Sequence, residues 1–184
     1  MTTRLVGRDN HPSRRTVIWL IPVLLTAHNA EEAIAYTLMR SQVASLLPVP
    51  LGTLEARLSL PVVLQVLAIL SALAFILAGV VVLRPRLQAA LWLLLALEAA
   101  VALNVVAHVA SAVAIFHGYG PGLTTAVLVN APFAVYALGR ARREAWVSLR
   151  AWRMLAVGGL FLHGPVLIGA LWLAQWINPI AVPR

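Results

Sequence analysis

The chain has 184 residues, 61% of them hydrophobic and 11% charged, with a formal net charge of +8 and a mean hydropathy of +0.90. That balance excludes an ordinary soluble domain. The charge does not mark a nucleic-acid binder, because all 14 basic residues are Arg and they fall in clusters between apolar runs, the pattern of membrane topology. Cysteine is absent, which excludes disulfides, thiolate metal ligands and cysteine nucleophiles.

Five apolar runs are long enough to cross a hydrocarbon core of ~30 Å at ~1.5 Å per residue. They are about Thr16–Met39, Leu60–Leu83, Leu87–Phe116, Gly122–Gly139 and Met154–Ile177. The reading is a single all-α domain, residues 1–184, folded as a polytopic membrane helical bundle.

The first run carries His28-Asn29-Ala30-Glu31-Glu32. Two carboxylates and an imidazole are costly in hydrocarbon and are tolerated there mainly when they pair, bind something or move protons. His28 and Glu32 are i,i+4, and Glu31 flanks them on nearly the same face. A rival reading makes the run a signal peptide with Ala33-Ile34-Ala35 as cleavage site, but helical patterning continues through Met39.

Ser41–Leu58, broken by Pro48 and Pro50, reads as an interfacial lid or a plain loop. The second run holds one polar residue of note, Gln65. The third holds Glu98, Asn104 and His108, the last two i,i+4 on one face. Tyr119-Gly120-Pro121-Gly122 then reads as a tight turn, with Tyr119 placed to donate its phenolic proton at the mouth and His117 interfacial. The fourth run carries Asn130 two residues before Pro132.

Arg140–Arg153 is expected to form a short amphipathic helix in the headgroup region, with Trp146, Leu149 and Trp152 on one side. The fifth run carries His163 two residues before Pro165. Its glycines at 158, 159, 164 and 169 offer a face for a homodimer. Trp19, Trp92, Trp172 and Trp176 read as packing or anchoring residues. No internal repeat is evident, which counts against an inverted-repeat transporter.

With five crossings, the Arg before run one, between runs two and three, and between runs four and five share one side. Only Arg40, Arg57 and Arg184 lie opposite. The positive-inside rule then puts the N-terminus in the cytoplasm and the C-terminus outside, in a multi-pass protein of the inner (plasma) membrane. Counting along each helix places His28 roughly 18 Å deep, Glu31 and Glu32 roughly 23 Å, and Asn104 and His108 roughly 25–30 Å. Glu98, His163 and Asn130 come out near the midplane. The polar residues converge between the midplane and the outer leaflet.

His28-Asn29-Ala30-Glu31-Glu32 fits HxxEE, Asn104-Val105-Val106-Ala107-His108 fits NxxxH, and Tyr119-Gly120-Pro121-Gly122 fits YxPG. In this order on hydrophobic helices they resemble the HXXEE-domain family of bacterial integral membrane proteins, over about residues 19–140. The resemblance implies an enzyme and nominates residues without naming a substrate.

The residues themselves support an intramembrane enzyme acting on a hydrophobic, lipid-like substrate by hydrolysis, isomerisation or cyclisation. In a metal version, one divalent ion, zinc or iron, takes ligands from His28, Glu32 and His108, with His163 as a further candidate and Glu31 as general base. In a metal-free version a protonated Glu and His108 shuttle protons, with Asn104, Tyr119 and Glu98 completing the catalytic set. The expected partners are membrane lipids and the hydrophobic substrate, not nucleic acid. The alternative is a proton-coupled carrier or small-molecule binding protein with His28, Glu31 and Glu32 as relay, and a third option is a purely structural subunit.

Overall fold

The computed structural model describes residues 12–46 and 60–177, and among them the regular structure is entirely helical. Ser13 opens the first helix, α1 (Arg14–Leu38), its hydroxyl accepting from the backbone N–H of Thr16, one of the donors that a helix start leaves unsatisfied. Pro22 sits inside α1; Thr26 Oγ1 donates to the Pro22 carbonyl at 2.7 Å.

A short helix, α2 (Arg40–Leu46), follows; residues 47–58 of the expected lid lie outside the described residues, as do Arg4, Arg8, Arg57 and Arg184. Then come α3 (Leu60–Leu83) and α4 (Gln88–Ser111), the latter prolonged by a π-helical turn, Ala112–Phe116. A reversal at 117–122 leads into α5 (Leu123–Thr125), which runs through a π segment, Ala126–Asn130, into α6 (Ala131–Arg143). The C-terminal part is α7 (Leu149–Arg153), α8 (Leu155–Phe161), a π segment (Leu162–Val166) and α9 (Leu167–Ile177). Pro132 and Pro165 adjoin or lie within π segments, where the wider turn accommodates a ring that clashes with the carbonyl four residues earlier.

Four helices are long and apolar enough to cross a membrane: Arg14–Leu38, Leu60–Leu83, Gln88–Phe116 and Leu155–Ala174. Three agree with expected runs to within two residues, and the C-terminal one also lies within its run. The helical stretch that follows the reversal reaches Arg143, past the expected end at Gly139.

The bundle is built around α4. One end is a close-packed cluster of Val17, Ile21, Leu91, Leu94, Ala137 and their neighbours. Lipid tails are as apolar as leucine, so association there rests on close contact and small residues. Gly159 shows this: a Cβ on it would lie 2.9 Å from Ala99 Cβ and 3.0 Å from the Ala100 nitrogen. Gly158 meets Trp92 in the same way, and Trp92 Nε1 donates to the Ala151 carbonyl at 2.9 Å.

Two of the four glycines assigned to a dimer face are thus spent inside the chain, while Gly164 and Gly169 face open space. Gly159→Val is expected to lower stability by about 1–3 kcal/mol through overpacking, whereas Gly169→Val changes little; thermal unfolding of the two purified variants checks the contrast.

The expected amphipathic helix over Arg140–Arg153 does not form. α6 ends at Arg143, Ala145 takes φ 49°, and a new helix starts only after Ser148, whose hydroxyl caps Ala151. Trp146 leaves the surface for the core, with the Arg14 and Arg140 guanidinium groups 4.9 and 5.9 Å from its ring centroid. Arg140 also bonds the Pro12 carbonyl and, at 2.6 Å, Glu144. A stretch chosen for apolar periodicity is divided because its aromatic residue is worth more between two cations in the core than along a lipid face.

Candidate functional site

α1, α4 and the start of α5 meet at one level, and each supplies part of a single polar cluster. His28 is fully buried at 0% exposure. Its Nδ1 lies 2.9 Å from Thr125 Oγ1, which donates to Glu31 Oε2 at 2.5 Å. A hydroxyl that gives its proton to a carboxylate must accept from the imidazole, so His28 carries its proton on Nδ1 and presents Nε2 as a lone pair.

Asn104 Nδ2 lies 2.9 Å from that Nε2 and 3.0 Å from His108 Nε2. Because His28 Nε2 can only accept, the amide nitrogen must face it. An amide nitrogen only donates, so His108 likewise offers its Nε2 lone pair to it. The two rings stand edge to face, centroids 4.9 Å apart. Two imidazole lone pairs therefore converge on one point, where the Asn104 amino group sits.

Glu31 and Glu32, neighbours in sequence, do different things. The Glu31 carboxylate accepts from Tyr119 Oη at 2.8 Å, Thr124 N at 3.1 Å, Thr125 N at 2.6 Å and Thr125 Oγ1. Two of these donors are the free N–H groups of a helix start, which favours a negative charge there. Partial withdrawal from water and the Glu31 bond push the Tyr119 phenol up to about 12, so it remains a donor at ordinary pH. Glu32 instead faces the two histidines, its Oε2 3.9 Å from His28 Nε2. One donor atom from each of His28, Glu32 and His108 can be chosen so that all lie within 4.8 Å of one another.

Gly122 closes the cluster from the loop side. Its φ is +78°, and a Cβ there would sit 2.8 Å from His108 Cε1 and 2.9 Å from His28 Cε1. The turn residue is thus a glycine for two reasons, conformation and space.

An apolar cavity of about 340 Å³ opens beside the cluster between α1, α3, α4 and the C-terminal helices, and Glu32, Asn104 and His163 are on its wall. His163 is on the cavity side and outside the group of three prospective ligands. Asn29 is buried and bonds across to α3, donating to the Leu67 carbonyl at 3.2 Å and Ser71 Oγ at 2.9 Å. Glu98 is 2% exposed and makes none of the cluster's bonds; Asn130 is equally buried, and its Nδ2 has no partner among the described residues.

Thr124 and Thr125 were not among the residues the sequence singled out. The available signal was their place, directly after Tyr-Gly-Pro-Gly at a helix start, where hydroxyls and free N–H groups collect.

The three motifs thus fold into one structure, and comparison with known families agrees. Residues 19–137 match the model of a family described as proteins of unknown function with an HXXEE motif. The chain belongs to that family. No curated protein and no solved structure matched it.

Proposed function

We propose that this chain is an intramembrane enzyme whose HxxEE, NxxxH and YxPG motifs build one site, metal-dependent or acid/base, for a hydrophobic, lipid-like substrate. The observation that carries the reading is the meeting of His28, Glu32 and His108 in one cluster, with Glu32 also on the wall of an apolar cavity. The chemistry it serves is hydrolysis, isomerisation or cyclisation.

The donor set suits one divalent ion, zinc or iron: two neutral imidazoles and a carboxylate are the N/O ligands such ions take, with room for a fourth. The point where both Nε2 lone pairs converge is held by an amide N–H₂, a partially positive group where a cation would go. When bound, the metal would supply a Lewis acid and an acidified water. The protein's own part is orientation. Thr125 fixes the His28 tautomer, Asn104 meets the Nε2 of both rings, and Glu31 holds Thr125, the outer-shell support that metal-binding histidines require. Glu31, with four donors already on it, is better suited to this strap than to the general-base role; Glu32 is the carboxylate on the cavity wall.

Five crossings, with the N-terminus cytoplasmic and the C-terminus outside, fit the same picture. Thr125 is level with Glu31 at one end, and Arg140 reaches the Pro12 carbonyl at the other. The stretch 125–140 therefore runs alongside most of α1, about 23 Å at helical rise. Among the described residues every Arg except Arg40 then falls at the Pro12 end, which suits a multi-pass protein of the inner membrane.

Zinc binding tests the proposal. The purified protein is expected to bind one equivalent, and zinc at a hundred times Kd should stabilise it by about 2.7 kcal/mol. His28→Ala, Glu32→Gln and His108→Ala are each expected to weaken zinc roughly 10–100-fold, on the scale of disrupted ligand shells, while His163→Ala leaves it unchanged. Protein that neither retains nor gains stoichiometric zinc or iron would remove the metal version.

A further inference from the structure

The cavity beside the cluster holds polar groups partway along its length. The Glu32 carboxylate and the Asn104 amide, both on its wall, reach the same atom, His28 Nε2, at 3.9 and 2.9 Å. His163 stands at that level too. α4 and the C-terminal helices run in the same direction: Trp92 meets Ala151 near their starts, and Gly159 lies against Ala99 and Ala100 further along. Four residues beyond Gly159 and Ala100 are His163 and Asn104.

Apolar wall extends from this level in both directions. Toward the close-packed end it reaches Leu25, Leu97 and Val101, and a buried cluster of Leu25, Ala74 and Val101 closes it there. Leu97 precedes Asn104 by seven residues, roughly 10 Å at helical rise. In the other direction the wall reaches Val63 and Leu171. Leu171 follows His163 by eight residues, roughly 12 Å. A chain with its polar group at one end cannot fill both arms while keeping that group at the polar level. Either one arm stays empty and its lining forfeits those contacts, or the polar group is drawn in among leucine and valine without a partner.

We infer that the cavity between α1, α3, α4 and the C-terminal helices takes a hydrocarbon chain whose oxygen function is internal, a secondary alcohol or a ketone with hydrocarbon on both sides. The oxygen meets the level of Glu32, Asn104 and His163, one arm runs toward Leu97 and the other toward Leu171. Amide and imidazole groups are hydrogen-bonding partners for a hydroxyl or carbonyl oxygen. At interior packing density, about 340 Å³ takes on the order of 15 heavy atoms, a chain of medium length. The inference rests on the proposed function for a lipid-like substrate; the place of the oxygen within the chain comes from the cavity.

The test compares two isomers of equal size and charge, labelled dodecan-6-ol and dodecan-1-ol, binding to the full chain in phosphatidylcholine nanodiscs, with empty nanodiscs as background. Saturable binding of one equivalent of dodecan-6-ol is expected, at least tenfold tighter than dodecan-1-ol. Leu97→Trp and Leu25→Phe, which fill the closed arm, should each weaken dodecan-6-ol at least tenfold, remove its advantage over dodecan-1-ol and keep zinc binding. Wild-type protein that binds dodecan-1-ol as tightly as dodecan-6-ol overturns the inference, as does a preference for dodecan-6-ol that survives both substitutions. Zinc is measured on the same samples. A chain that prefers dodecan-6-ol yet binds no zinc defeats the metal reading alone; one that binds zinc but prefers dodecan-1-ol defeats this inference alone. Saturable binding of neither isomer defeats this inference and counts against the lipid-like substrate on which it rests.

Discussion

Alanine at position 122 is expected to cost about 2–4 kcal/mol of stability and to abolish tight zinc binding together. The backbone contribution is about 1 kcal/mol, for placing a side chain at a left-handed φ of +78°. The rest is steric. The new methyl would lie under 3 Å from carbons of both imidazoles, and neither ring can retreat without losing a bond: His28 is held by Thr125 and Asn104, and His108 by Asn104. Overpacking of this kind costs 1–3 kcal/mol. Gly164→Ala is the control, since nothing lies within 4 Å of its Cβ position. Unfolding and zinc titration of both variants check the pair. A Gly122→Ala protein with wild-type zinc affinity would show that the turn does not shape the histidine pair.

Replacing Glu31 by alanine is expected to be the most damaging single change at the site, lowering stability by about 3–5 kcal/mol. Hydrogen bonds to a charged group contribute roughly 1.5–3 kcal/mol each before non-additivity, and this carboxylate takes four. Its removal also leaves the N–H groups of Thr124 and Thr125 without their partner at a helix start, where a negative charge is favoured. Glu31→Gln keeps the shape but brings its own N–H₂ against donors that point inward, so it should recover less than half of the loss. Glu32→Gln, by contrast, should affect zinc more than folding. The distinction is read from denaturation midpoints beside zinc affinities. Equal destabilisation by Glu31→Ala and Glu32→Ala would contradict the division of labour between them.

That division marks the boundary of what the sequence could tell. HxxEE and NxxxH gave His28, Glu32, Asn104 and His108, because i,i+4 spacing on a helix fixes which side chains share a face. Depth counting put HxxEE roughly 18–23 Å deep and NxxxH roughly 25–30 Å, and the Asn104–His28 bond brings them to one level. Counting along an axis gives height only, not the direction in which a helix turns its face within a bundle. Glu31 therefore seemed to stand with His28 and Glu32, whereas it turns toward the start of α5. Glu98 was level with prospective partners and makes none of the cluster's bonds.

Thr124, Thr125 and the second role of Gly122 were hidden for a related reason. The threonines act on Glu31 across 93 and 94 residues of chain, through N–H groups that no motif displays, and the glycine acts through the space it leaves. The Arg140–Arg153 segment failed differently. Its periodicity was real, but a positive φ at Ala145 and a tryptophan between two guanidinium groups lie outside what apolar spacing can encode.

The bond between Glu31 and the Thr125 amide joins positions 94 residues apart, and that separation is also a delay. At about 5–20 residues per second, the carboxylate leaves the ribosome roughly 5–20 s before the amides that receive it. During that interval α1 carries Glu31 without the donors that receive it in the folded chain, which disfavours settling at full depth in lipid. Completion of the chain past Thr125 is what makes the buried position of α1 favourable. Nascent chains stopped before position 125 should therefore leave Glu31 open to aqueous reagents, and those released after it should shield the same position.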